Sequence, residues 1–166
     1  GSLRGFLRSS LSDVRKIIYD LRPMSLDDLG LVPTLQRYIS NYIEQNNISV
    51  EFIVWGEPKA LKPVVELAAF RIVQEALTNI KKHSGADNAI VRVEFTNDQV
   101  NLLISDGGKG FDKSNLWKGK EEDAGYGLLN MKERVELLNG KFNLKTALNK
   151  GTKIFASLSL NIMEEG

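Results

Sequence analysis

Two pairs of alternating segments constrain this chain more than anything else in it. Residues 88–95 put Ala89, Val91, Val93 and Phe95 on one side, and 99–105 do the same with Val100, Leu102 and Ile104. Thr96-Asn97-Asp98 between them is a tight turn. Residues 141–146 and 152–160 repeat the arrangement around Leu148-Asn149-Lys150-Gly151. Two hairpins with a period of two predict a largely antiparallel sheet with one buried face. A further strand is predicted over 48–55, where Ile48, Val50, Phe52 and Val54 alternate with Ser49 and Glu51, before a turn at Gly56-Glu57-Pro58.

The remaining patterns are helical. Residues 31–47 carry Leu31, Leu35, Tyr38, Ile39, Tyr42 and Ile43 on one face and end at Asn46-Asn47. Residues 61–83 form a longer helix with Pro63 in its first turn. Its core face is Ala69, Phe70, Val73, Ala76, Leu77 and Ile80. At about 100° per residue, Glu75, Asn79, Lys82 and His83 share a polar face. Residues 127–139 form another helix, stopped by Gly140. The polar, charged stretch 112–125 reads as a mobile loop. Residues 24–30 read as a short polar connector. The expected fold is α+β: a two-layer sandwich of one mixed, mostly antiparallel sheet with helices on one face.

Residues 3–21 stand apart. Leu3, Leu7, Val14, Ile17 and Leu21 follow alternating three- and four-residue steps, with Ser10 the polar exception. That seam suits a helix paired with others in a bundle, and it stops at Arg22-Pro23. Gly1-Ser2 reads as a cloning scar, and the chain begins in mid-helix, as a piece of something longer would.

Composition narrows the function classes. The 166 residues include 22 basic and 21 acidic side chains, a net charge of +1. Neither nucleic acid nor an anionic membrane is an expected partner. There are no cysteines, which removes disulfides and thiolate chemistry and is compatible with a reducing compartment. No apolar run is long enough to span a bilayer.

Four local features point to a small-molecule site. Asp106-Gly107-Gly108-Lys109-Gly110-Phe111 closes an apolar strand with an acid and three glycines. Glycine lets backbone approach a ligand, and the carboxylate accepts hydrogen bonds from an amine. A plain hairpin turn explains the same residues. The polar face Glu75, Asn79, Lys82 and His83 is either a solvated side or a ligand face. In the second case the Asn79 carbonyl is a hard ligand for Mg²⁺, Lys82 a point charge for phosphate, and Glu75 a group for the metal's outer shell. Gly125-Tyr126-Gly127-Leu128 leads a loop into a helix N-terminus, which favours anions. Gly151-Thr152 opens the last strand with a hydroxyl. There is no GxxxxGK[ST] loop, and Gly125 and Gly127 do not follow a strand, so neither the P-loop nor the dinucleotide fingerprint is present. The lone histidine, His83, argues against zinc.

Taken together these motifs resemble the sensor histidine kinase ATP-binding domains of the GHKL superfamily, which also holds gyrase, Hsp90 and MutL. Glu75-x-x-x-Asn79-x-x-Lys82-His83 resembles their N box, Asp106-x-Gly108-x-Gly110 the G1 box, Gly125-x-Gly127-Leu128 the G2 box, and Gly151-Thr152 the terminal Gly-Thr. Leu21-Arg22-Pro23, Asp27-Asp28-Leu29-Gly30-Leu31 and Met131-Lys132-Glu133-Arg134-Val135 resemble the subfamily that pairs with NarL-type response regulators, and within it the DegS-like kinases.

The resemblance implies a Bergerat-type fold and an ATP·Mg²⁺ site. Asp106 would take the adenine amino group, with Thr152 and a water nearby. Asn79 would hold Mg²⁺ and Glu75 its water shell, these two being the catalytic pair. Lys82 and His83 would lie near phosphate and ribose. Gly108 and Gly110 would bend the chain around the nucleotide, and Gly125, Gly127 and Leu128 would meet the phosphates where a lid over 112–124 hinges. Residues 1–23 would be the C-terminal helix of a truncated dimerisation and phosphotransfer domain, 24–30 a linker, and 31–166 the catalytic domain. The chain would be cytoplasmic and act with a NarL-type response regulator, with its own dimerisation domain and with a homodimer partner. It would bind ATP without autophosphorylating, because the acceptor histidine lies on a helix this sequence does not contain, and His83 belongs to the N box. Two departures stand out: Gly107 replaces a frequent Asn and Asn130 a frequent Gly. The rival readings are a nucleotide-sensing interaction module without kinase activity and a serine kinase of the anti-sigma type.

Overall fold

The computed structural model describes residues 23–116 and 122–160. The bundle helix expected over 3–21 lies outside them, as does part of the stretch 112–125. Five helices and five strands are described, in the order α1 (Met24–Leu29), α2 (Leu31–Asn46), β1 (Ser49–Trp55), α3 (Pro63–Asn79), β2 (Asn88–Phe95), β3 (Gln99–Asp106), α4 (Lys113–Leu116), α5 (Glu122–Leu137), β4 (Lys141–Thr146) and β5 (Thr152–Ser159). A π-helical turn, Ile80–Ser84, extends α3.

The strands form one sheet in the order β1-β2-β3-β5-β4. Only β1 and β2 run parallel; the other three pairings are antiparallel. The period-two pattern sets the register row by row. Val93, Leu102, Ala156 and Phe142 lie side by side across β2, β3, β5 and β4, and Val91, Ile104, Ile154 and Leu144 form the next row. These apolar rows face the helices, and all but the half-buried Phe142 are buried. From α3 they receive Ala69, Phe70, Val73, Ala76 and Leu77, and from α5 Leu128, Met131 and Val135. The other face of the sheet is more open. There Arg92 lies 4.3 Å over the exposed Trp55 ring.

Three expectations need correction. The segment 24–30 is no polar connector. Met24–Leu29 is helical, and its Leu26 is 2% exposed in the core, so one buried leucine outweighs the polar residues around it. The 61–83 helix keeps α geometry only to Asn79 and then widens into the π turn. The Ser84 hydroxyl donates to the Ile80 carbonyl at 2.9 Å and accepts from the Ala86 N–H at 3.0 Å, which anchors that turn. Finally, α5 starts at Glu122 rather than Gly127. Two glycines inside a helix cost about 1 kcal/mol each relative to alanine. Contact with α3 offsets that cost, because Gly127 lacks the Cβ that would overlap the Glu75 carboxylate.

Candidate functional site

The core rows end in a polar one. Ala89, Asp106, Thr152 and Thr146 are paired neighbours across the same four strands, on the face that buries the apolar rows. Here the hydrophobic pattern gives way at the rim of the sheet. Asp106 is only 8% exposed. Burial pushes its carboxyl above the usual carboxylate range, and the Gly108 N–H, donating to Oδ1 at 2.8 Å, partly offsets this. Thr146 and Thr152 hydroxyls lie 3.1 Å apart.

The glycine turn after Asp106 is locked to the end of α3. The Lys109 N–H donates to the Ser84 carbonyl at 2.8 Å. A Cβ on Gly108 would strike that same carbonyl. Gly151 has φ +71°, and a Cβ there would overlap the Asp106 carbonyl. The Asn149 N–H donates to the Lys109 carbonyl at 2.6 Å, joining the turn to the β4–β5 loop. Gly107 meets nothing within 4 Å of an added Cβ, so the turn does not depend on glycine at that position.

The second group of candidates lies on α3 and its π turn. Asn79 is half-buried, and its Nδ2 is buried with no hydrogen-bond partner. Glu75 is half-buried against Gly127. Burial raises its pKa, and the charge of Lys82 pulls it back in part. Lys82 and His83 are exposed on the π turn, and the charge of Lys82 reaches Glu75. Among the described residues no hydrogen bond or ion pair joins His83 to the other candidates. The two groups meet through α2: the Tyr42 hydroxyl donates to the Leu77 carbonyl at 2.8 Å. Its pKa is pushed up to about 12 by burial first, then by Tyr38 and Asp106, so it remains a donor.

Gly125 and Gly127 fall inside α5, not at its start, so the expected anion site at a helix N-terminus preceding Gly127 is not formed here. The Leu128 side chain is 1% exposed and belongs to the core. Asn130 is exposed on α5.

Sequence reasoning missed Ser84 and Thr146. Ser84 was hidden by the α-to-π change. Thr146 was detectable, since pairing the hairpin strands back from their loop sets it opposite Thr152.

The donor chemistry fits a magnesium ion. Asn79 and Glu75 offer hard oxygens, and among the described residues no group of three His, Cys, Asp or Glu forms a closed metal cage. Mg²⁺ is ordinarily held by one or two protein oxygens, with phosphates and waters supplying the rest. Among the described residues no helix is long and apolar enough to cross a membrane.

Known proteins resemble this chain in sequence and in fold. Over 162 residues the chain is 42% identical to the signal transduction histidine-protein kinase/phosphatase DegS of Brevibacillus brevis, a match covering 98% of this chain and 41% of that protein. It is 45% identical over 145 residues to DegS of Bacillus subtilis (strain 168), covering 85% and 37%. The chain thus spans about two-fifths of the length of these curated relatives. Its fold matches the Acinetobacter baumannii histidine kinase AdeS with a TM-score of 0.63 at 15% identity, covering 97% of this chain and 85% of that one. The model of the histidine kinase-, DNA gyrase B- and HSP90-like ATPases matches residues 64–162, a stretch that takes in α3, the Asp106 turn and Gly151-Thr152, and the chain belongs to that ATPase family.

Proposed function

We propose that this chain is the ATP-binding catalytic part of a two-component sensor histidine kinase. One observation carries the reading. A buried carboxylate, Asp106, paired across the strands with the half-buried Thr152, crowns the core rows, and the turn beside it is tied to the end of the helix that bears Glu75 and Asn79. A purine and a polyphosphate need those two kinds of surface side by side.

Asp106 accepts an N–H of the adenine amino group, with Thr152 beside it. Gly108 and Gly110 keep the turn close to the purine. Asn79 holds Mg²⁺ against the phosphates, and Glu75 orders the ion's water shell. The ion, when bound, neutralises phosphate charge and fixes its orientation. Lys82 adds a point charge for the phosphates, and His83 lies on the ribose side. Gly125 and Gly127 contact phosphate from the lid side, after the start of α5 has rearranged, and Leu128 anchors that segment in the core. Catalysis on this reading is positioning and charge neutralisation, as in phosphoryl transfer generally.

The γ-phosphate goes to a histidine on a dimerisation domain of the longer protein, and from there to a response regulator of the NarL type. On this reading residues 1–23 belong to that dimerisation domain. The setting is cytoplasmic, where ATP is supplied. The test mixes this chain with a separate dimerisation domain carrying the acceptor histidine and γ-labelled ATP. Label on the histidine, lost when Asn79→Ala replaces the parent, is the expected result. ATP binding without transfer would favour a nucleotide-sensing module instead.

A further inference from the structure

The rim of the sheet holds a hydrogen-bond chain whose direction can be worked out. A threonine hydroxyl has one proton to donate and two lone pairs. The Thr146 Oγ1 has three neighbours: the Gly151 carbonyl at 3.0 Å, the Phe111 N–H at 3.2 Å and the Thr152 hydroxyl at 3.1 Å. A carbonyl has no proton to give, so Thr146 donates to Gly151. Gly151 is buried, and leaving its carbonyl unbonded would be costly. The Phe111 N–H can only donate, so it fills one lone pair of Thr146. With its proton spent, Thr146 meets Thr152 only as an acceptor. Thr152 therefore donates to Thr146, and it has nothing but lone pairs left for the Asp106 side of the row.

We propose that Thr146 is a positioning residue that fixes Thr152 as an acceptor and thereby sets the site's preference for a 6-amino over a 6-oxo purine. This rests on the ATP reading above. Asp106 and Thr152 are directly paired across β3 and β5, so the row presents two acceptors side by side. An exocyclic amino group has two N–H bonds and satisfies both. A 6-oxo group presents an oxygen to two acceptors and satisfies neither. Were Thr152 free to rotate, its proton would meet that oxygen and soften the rejection. Thr146 prevents this from one strand further out, without touching the purine.

The test measures Mg²⁺-supported binding of ATP and of inosine triphosphate by calorimetry, for the parent, Thr146→Val and Thr146→Ser. The parent favours ATP. Thr146→Val removes the acceptor and narrows the ATP preference by roughly three- to tenfold, the worth of one neutral hydrogen bond. Thr146→Ser keeps the hydroxyl and holds the ratio within about twofold of the parent. In a Thr152→Val background, Thr146→Val leaves the ratio where it was, because the hydroxyl it controlled is gone. Circular dichroism checks each fold, and Thr146→Ala replaces Thr146→Val should the latter not fold. A merely structural Thr146 would weaken both ligands alike and leave the ratio unmoved, and that result in a folded variant overturns the inference, as does an equal shift in Thr146→Ser. A parent that binds neither triphosphate sinks the ATP reading itself, an outcome separate from a parent that discriminates alongside variants that do so equally well.

Discussion

The two halves of the site solve opposite problems. On the sheet side, Asp106, Thr146, Thr152 and the turn 107–110 are bonded to one another and to Ser84, Phe111 and Gly151. On the helix side, Asn79 Nδ2 is buried without a hydrogen-bond partner among the described residues, and Glu75 is half-buried, its carboxyl raised by burial as that of Asp106 is. A satisfied network holds a shape before any ligand arrives. An unsatisfied polar face costs stability, and a ligand can recover it. The sheet side is therefore built as a template and the helix side as a receiver, and substitutions should divide accordingly between stability and binding.

The largest effect belongs to the template. Gly151→Ala forces a side chain into the left-handed region and against the Asp106 carbonyl, and should cost about 2–4 kcal/mol in denaturant unfolding. A loss under about 0.5 kcal/mol would mean that the rim is softer than its bonds suggest.

Next comes the receiver. Asn79→Ala should remove the Mg²⁺-dependent part of ATP affinity, a loss of about ten- to a hundredfold. Its unfolding free energy should stay within about 1 kcal/mol of the parent or rise, because an unpartnered buried group is deleted. If Asn79→Ala instead destabilised the fold as much as Gly151→Ala, the two halves would not differ in kind.

Glu75 sharpens the contrast through pH. Its folded-state pKa is raised, chiefly by burial, so the folded chain holds that proton more tightly than the unfolded chain. The stability this provides is fully present at low pH and is lost as pH rises from the ordinary Glu range through the raised value. Glu75→Gln does not titrate there, so its melting temperature should gain on the parent's as pH rises above the ordinary Glu range of about 4. Parallel curves for the two proteins would contradict the burial argument.

The smallest effect is expected at Gly107. Open space surrounds it, so Gly107→Asn should change stability by no more than about 0.5 kcal/mol and leave ATP binding intact. The departure at this position from the residue frequent in similar kinases then carries no cost.

How much of this was legible in the sequence follows the range of the forces involved. The strands and the core face of α3 were readable because period two and period 3.6 are local. The rim row followed in principle from the same alternation: Asp106 and Thr152 continue the inward positions of Ile104 and Ile154. Leu26 gave no local sign that it joins the core, since six residues hold too little pattern to mark a helix. The π turn left no mark in the period of the helix, although the Ser84 hydroxyl anchors it locally and the Lys109 N–H meets the Ser84 carbonyl from across the fold. Glycines 125 and 127 read as a helix boundary by propensity, and the approach of α5 to Glu75 overrode it.

The central claim is that template and receiver form one nucleotide site. The most direct test is a calorimetric titration of ATP into the parent and into Asp106→Asn, each with and without Mg²⁺. The account predicts that the parent binds ATP, more tightly with Mg²⁺. It predicts that Asp106→Asn stays folded but binds at least about thirtyfold more weakly, from the loss of a charge-assisted hydrogen bond. Binding by Asp106→Asn as tight as the parent's would contradict it.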